Sequence, residues 1–395
     1  MTSRTSPLVL KETLPLANPI QDKDRYSRQV LFPGIGATGQ QRLGAAHVAI
    51  VGCGAMGAAA ASLLGRAGVG TLTLIDRDFV EPSNLQRQVL FDEADARDSL
   101  PKAEAARRHI AQFNSNVTVH ARIADLIPGN IAELLSGASP DATSVRPENV
   151  VPVDIILDAT DNFETRYLIN DFAVQQGKPW IYAAAIGAYA ATMNILPNPP
   201  SVPCSLFPVP YTPTACLACI FPKPPSGNVE TCETSGILST AVNLAASIQV
   251  TETLKFLTGQ PQLMRRSLLS FDLWNPASNA YLDRSEIAAG TPRPDCEVCG
   301  KRSFTHLAGE GRAHITLCGR DSVQIHEHHS PVDFAAMRAR LATHADIEDL
   351  RSNDLLLRFR RGPHTLTLFA DGRAIVQGTT DITVARSLYA RFIGA

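Results

Sequence analysis

The 395-residue chain has no apolar run approaching the 18 residues that a membrane-spanning helix needs, so no transmembrane segment is expected. It also lacks an excess of charge of either sign. The 36 Lys and Arg residues face 38 Asp and Glu residues, a net charge of −2. Without a basic field there is no electrostatic footprint for nucleic acid. Residues 1–24 lack the basic start and continuous apolar stretch of a signal peptide, and are expected to form a flexible N-terminal arm. With no secretion signal, the eight cysteines read better as metal ligands and thiols of a reducing cytoplasm than as disulfides. No internal repeat and no low-complexity tract is present.

What is present is a globular composition, 45% apolar and 19% charged, in a chain long enough for two or three domains. From residue 25 to about 198, strand and helix patterns alternate. Strands are expected at 47–51, 71–75, 117–120, 153–157 and 180–184, with helices near 55–66, 101–113, 130–136 and 163–176. Such alternation builds a Rossmann-like α/β unit, a mostly parallel sheet with helices on both faces. Residues 136–149 read as a surface insertion and 197–225 as a Pro-rich interruption. A helix at 237–257 and a strand near 267–273 follow. Composition changes after Gly300. A linker is expected at 301–312 and a small α+β module at 313–395, with strands near 314–318, 322–326, 355–359, 364–369 and 373–377. Its helices are expected near 331–342 and 381–393. Asp371-Gly372 is a strong hairpin signal between two of these strands.

The chemistry concentrates between residues 50 and 88. Gly52-Cys-Gly54-Ala-Met-Gly57 follows an apolar strand, and Asp76 stands 19 residues after the last glycine. This is a nucleotide-binding fingerprint. Gly52 permits the turn, Gly54 the approach of a phosphate or ribose, and Gly57 close helix packing. Asp76 suits a ribose diol, and Asp78 reads as a turn or cap residue. The segment then continues with Asn84, Arg87 and Gln88, polar groups that nucleotide binding for hydride transfer does not require. Lys102 follows Pro101 at a helix start, where the helix dipole disfavours a cation unless an anion faces it. Asp161 lies just past a buried strand. In an open α/β sheet the ligand sits beyond the carboxyl ends of the strands, where Asp76, Arg87, Lys102 and Asp161 can converge. Two cations and a carboxylate able to hold Mg²⁺ suit attack on the α-phosphate of a nucleotide.

These pieces, with Arg25-Tyr-Ser-Arg28-Gln29, Ser83-Asn-Leu-Gln-Arg87-Gln88, Asp158-Ala-Thr-Asp161-Asn162 and two CxxC pairs, come in the order found in the MoeB/ThiF/HesA family, which the chain resembles over roughly residues 25–300. That family comprises sulfur-carrier adenylyltransferases related to the ubiquitin-activating enzymes. The resemblance implies ATP-dependent adenylation of the C-terminal carboxylate of a ubiquitin-like carrier ending Gly-Gly, releasing pyrophosphate and preparing a thiocarboxylate for molybdopterin, thiamine or a related pathway. It implies that Asp76 holds the ribose, that Asn84, Arg87 and Lys102 contact phosphates, and that Asp161 coordinates Mg²⁺. Arg28 would reach into the partner subunit of a homodimer; read by itself, it is also an ordinary surface arginine.

Cys216, Cys219, Cys296 and Cys299 supply four thiolates, the number that closes a structural tetrahedral Zn²⁺ site. With 76 residues between the pairs, such a site pins the end of the domain to its middle. Cys204 falls outside the spacing. Cys232 precedes a helix, a position that lowers a thiol pKa. In the family this place is a mobile-loop cysteine, and both an acyl-linking thiol and a plain loop residue remain open. Cys53 and Cys318 read as packed small residues, and His326, His328 and His329 as a solvated turn. The C-terminal module is too short for the rhodanese domain of some relatives and lacks its cysteine loop, so a separate sulfur donor is expected. Two other readings stand beside adenylation. One is an NAD-dependent oxidoreductase on the same βαβ unit, against which Arg87, Lys102 and the four thiolates argue. The other is a non-catalytic scaffold of the same fold.

Overall fold

The computed structural model describes residues 22–135, 152–199, 210–224, 235–274, 283–309, 322–325, 332–353, 356–369, 372 and 374–393. Thirteen strands form two sheets among them. The larger sheet holds β1 (His47–Val51), β2 (Thr71–Ile75), β3 (Thr118–Arg122), β4 (Ile155–Asp158), β5 (Trp180–Ile186), β6 (Tyr189–Ile195), β7 (Ser267–Asp272) and β8 (Asp283–Ala288). Their spatial order is β3-β2-β1-β4-β5-β6-β7-β8. The first five are parallel. From β5 onward each neighbour is antiparallel.

β1 is buried on both faces, which is why it reads as an unbroken apolar run. Val48 and Ile50 face the helices Ala55–Ala67, Lys102–Phe113 and Ser239–Leu257. Ala49 and Val51 face the helix Phe163–Gln176 and the cysteine-bearing lobe. Helices therefore cover both faces of a mostly parallel sheet, as the alternation predicts.

Three strands were not legible. β6 returns from β5 through a tight turn whose Gly187 lies at φ +57°, so a hairpin stands where only 180–184 was expected. β8 (sequence DRSEIA) is a half-exposed to exposed edge, and an edge strand needs no apolar alternation. The same holds for β10 (Glu348–Ser352). The helix expected at 130–136 is a single turn, Ile131–Leu134. Leu135 and Leu134 still pack into the core.

The smaller sheet is antiparallel, in the order β10, β11 (Leu356–Arg361), β12 (His364–Phe369), β13 (Ala374–Gln377) and β9 (Ser322–Ile325). Helices Phe334–Leu341 and Ile382–Phe392 cover one side through Leu341, Ala385, Leu388 and Phe392. β12 and β13 form the expected hairpin, with Gly372 at φ +84° and its N–H on the Phe369 carbonyl at 3.0 Å. The strand expected at 314–318 and the three histidines lie outside the described residues.

Residues 301–309, within the expected linker 301–312, are held against the larger domain. The N–H groups of His306 and Leu307 donate to Asp171 Oδ2 at 2.9 and 3.3 Å. Phe304 and Leu307 pack on the core that holds the cysteines.

Candidate functional site: a nucleotide cradle and a four-thiolate cluster

The glycine loop is a close approach that side chains cannot follow. Gly52 sits at φ +93°, and a Cβ there would stand 2.6 Å from the Ala159 carbonyl oxygen. A Cβ on Gly57 would collide with the Gly52 carbonyl oxygen. Gly54, at the start of the Ala55–Ala67 helix, has open space where its Cβ would be, the room a phosphate needs at a helix N-terminus.

Asp76 follows β2 and ties two loops together. Its Oδ2 accepts from the Cys53 N–H at 2.6 Å and its Oδ1 from the Asp78 N–H at 2.7 Å. Burial pushes the Asp76 carboxyl up, and Lys102 opposes that shift. Cys53 is fully buried, as a packed small residue should be, and its thiol is pushed well up by burial and by Asp76.

Residues 78–80 run alongside 100–102 as a short antiparallel ladder. Lys102 N–H donates to the Asp78 carbonyl at 2.8 Å, and Val80 N–H to the Leu100 carbonyl at 2.8 Å. Lys102 is 3% exposed and its Nζ lies 3.2 Å from Asp78 Oδ2. The anion that a cation at a helix start demands is thus a side chain of the protein. Asp78 is an ion-pair partner, beyond the turn or cap role read from its sequence.

Asn84 is buried in the 3₁₀ turn Pro82–Asn84, where its Oδ1 accepts from the Glu81 N–H at 3.1 Å. Gln88 is buried, and its Oε1 has no hydrogen-bond partner among the described residues. Arg87 is half-buried and donates to the Ser83 carbonyl at 2.9 Å.

Asp161 is exposed, on the loop after β4. Asp158 and Asn162 shape that loop. Asp158 is buried against Arg166 Nε at 3.3 Å and accepts from the Thr160 N–H and hydroxyl. Asn162 caps the following helix through the Thr165 N–H at 2.8 Å.

Sequence reasoning missed Arg77, which connects these groups. Its Nη1 lies 3.0 Å from Asp125 Oδ2, and its Nε 3.9 Å from Asp78 Oδ1. Burial pulls its pKa down, but the carboxylates of Asp125, Asp78, Asp161 and Asp76 hold the guanidinium above its ordinary value. The acids on both sides of Arg77 were a usable signal, because a charged side chain buried at a strand end needs a partner.

Arg28 is exposed on the turn Ser27–Val30 and faces none of these groups among the described residues. Its segment is nevertheless fixed. Tyr26 is buried and accepts from Asn114 Nδ2 at 2.8 Å, and Gln29 donates to the Ala67 carbonyl at 2.8 Å. Beyond the carboxyl end of β5, a cleft of about 530 Å³ is lined by Gly187, Tyr189, Ile237, Leu238 and Trp274. Cys204, Cys232 and Cys318 lie outside the described residues.

The four expected metal thiols do meet. Sγ atoms of Cys216 and Cys219 are 3.8 Å apart, Cys216 and Cys296 3.6 Å, and Cys219 and Cys299 3.3 Å. All four fall within 4.8 Å of one another. Zinc–sulfur bonds of about 2.3 Å in a tetrahedron place sulfurs about 3.8 Å apart, so the cluster fits a bound metal ion such as zinc. Arg293 N–H donates to Cys219 Sγ at 3.4 Å.

A glycine cradle, an acid at the end of β2 and a buried lysine at the start of the Lys102–Phe113 helix define a nucleotide-binding α/β protein, here with a four-cysteine cluster able to hold a metal ion in its second half. A model of the ThiF family matches residues 26–298, and the chain belongs to that family. It is 40% identical over 373 residues to the sulfur carrier protein ThiS adenylyltransferase of Bacillus subtilis, covering 94% of this chain and 99% of that protein. It is 33% identical over 281 residues to a sulfur carrier protein adenylyltransferase of Thermus thermophilus, 71% of this chain and 92% of the other. The fold resembles that of E. coli MccB solved with ATP, at a TM-score of 0.53 and 23% identity over 70% of this chain and 74% of that one.

Proposed function

We propose that the chain adenylates the C-terminal carboxylate of a small ubiquitin-like sulfur-carrier protein with ATP. One observation carries the reading. In a chain of this family, Asp76, Asp78 and Lys102 are gathered against an open glycine cradle at the carboxyl ends of the parallel strands. Asp76 keeps lone pairs for the ribose hydroxyls while two amides hold it in place. Asn84, Arg87, Gln88 and Lys102 face the phosphates. Lys102 exchanges its Asp78 partner for a phosphate oxygen, one anion for another. Asp161 is the residue that would hold Mg²⁺, whose charge screens the phosphates when bound. A carboxylate oxygen of the carrier attacks the α-phosphorus, and the bond to the bridging oxygen breaks. Pyrophosphate leaves with that electron pair, and no side-chain base is needed because the nucleophile is already an anion. Positioning and charge neutralisation supply the rate.

The cleft beyond β5 is suited to an extended carrier tail, and Arg28 is suited to completing a partner's site in a homodimer. The four-thiolate cluster is read as structural zinc with no open position. Cys232 is retained as a candidate acyl-linking thiol. A separate donor supplies the sulfur. The reading places this work in the cytoplasm; among the described residues no helix is long and apolar enough to cross a membrane.

The test is ATP–pyrophosphate exchange with a panel of carriers ending Gly-Gly. Exchange should depend on one of them and should fall about 10²–10³-fold in Arg87→Ala and in Asp161→Ala, as loss of one charge clamp does. Wild-type exchange in both variants, with the fold intact, would overturn the reading.

A further inference from the structure

The C-terminal module stands directly behind the nucleotide loop. Phe79 is one residue past Asp78 and 3% exposed, and it forms a shared apolar cluster with Leu356, Phe369 and Ile375 of the module, with Ile123 packed against them. The Arg358 guanidinium sits 4.5 Å from the centre of the Phe79 ring. Burial pulls that guanidinium's pKa down, and the Glu81 carboxylate works against the shift. Beside it, Arg351, the cross-strand partner of Arg358, donates to the Arg97 carbonyl and Asn353 to the Asp98 carbonyl, each at 3.4 Å.

The residues seized this way carry the site. Phe79 bridges to Pro101, which precedes Lys102. Asp78 holds Lys102 through both its carbonyl and its carboxylate. Glu81 closes a capping box with Asn84. The module therefore touches Phe79, which adjoins Asp78, and Arg97 and Asp98, which lead into the 100–102 side of the ladder.

We infer that the module is a built-in support for the ATP loop, and that Arg358 is a positioning residue for adenylation, acting through Phe79 on Asp78 and Lys102. This rests on the adenylation reading. A ring clamped by a cation cannot swing, so the phosphate-facing groups are held before ATP arrives, and the ordering cost falls on folding rather than on binding.

The test uses the full chain and MgATP as the probe, read by equilibrium binding and by the ATP dependence of pyrophosphate exchange. Arg358→Ala should weaken MgATP binding and raise the KM for ATP by roughly three- to tenfold, the range of a lost cation–π contact. Its kcat at saturating ATP should change less than twofold. Arg358→Lys, which keeps a cation over the ring, should recover part of the affinity. Tyr389→Phe is the control, because it removes a module hydrogen bond to the Gly372 carbonyl (2.8 Å) away from the loop. It should lower Tm and leave MgATP affinity unchanged. If Arg358→Ala binds MgATP like wild type, or if Tyr389→Phe weakens binding as much, the inference fails. If the wild type itself binds no MgATP, the adenylation reading fails instead.

Discussion

Lys102 shows how one residue's surroundings decide its use. A lysine ammonium buried at a helix start is costly unless paired. Asp78 supplies the pair at 3.2 Å, so the cation is present before any substrate. Asp78→Ala should lower stability by about 2 kcal/mol in urea unfolding, the scale of a hydrogen bond to a charged group. It should also raise the KM for ATP, because Lys102 loses its guide. An Asp78→Ala protein with unchanged midpoint and unchanged KM would contradict this. Gly57→Ala makes a sharper case. Its methyl group would meet the Gly52 carbonyl, so the loop must open. MgATP binding should fall at least tenfold in a titration, while far-ultraviolet circular dichroism stays native. Most of this cradle was legible in the chain, because glycine spacing and the acid after β2 are local consequences of a strand–turn–helix. Arg77 was not. Its meaning comes from Asp125 and Asp161, on loops after other strands.

At the level of elements, the four thiolates join the turn Leu217–Ile220 to the loop at 293–300. Chelation should release that lobe. We expect protein treated with a strong chelator at neutral pH to lose about one equivalent of zinc per chain and to become protease-sensitive near residues 290–309. Cys219→Ser should do the same without chelator. A metal-free protein with unchanged proteolysis would refute the structural role. Asp171 anchors the same lobe through two N–H groups, and burial pushes its carboxyl up to about 6. A carboxyl whose folded pKa lies above its unfolded one adds stability below the unfolded value, near 3.8, and that contribution is lost as pH rises through about 6. The Tm of Asp171→Asn relative to wild type should therefore rise between pH 5 and pH 7, and a flat difference would argue against it. Long elements with strong apolar patterns were readable: β1, β2 and the helix Ser239–Leu257 fall within two residues of expectation. β8 and β10 were not, since an exposed edge carries no apolar alternation. The turn that makes β6 hinges on one glycine.

Across the whole molecule, two sheets with separate cores meet at a small patch around Phe79. If this patch steadies the nucleotide loop, damage on the module side must be felt in the domain. Ile375→Asp should speed hydrogen exchange at the Val80 and Lys102 amides, which close the 78–80/100–102 ladder. The amides of β1 should be unaffected. Equal protection at Val80 and Lys102 in the variant would show that the module merely rests on the domain.

By itself the sequence determined the α/β class, the glycine loop with its acid after β2, the four cysteines that cluster and a second, smaller sheet. Each of these rests on periodicity or on spacing over a few residues. Only the tertiary structure decided that Asp78 holds Lys102, that Arg77 pairs with Asp125, that the sheet turns antiparallel after β5, and that Arg358 lies over Phe79. Those contacts join residues far apart in the chain, and their energies depend on burial, which no local pattern records.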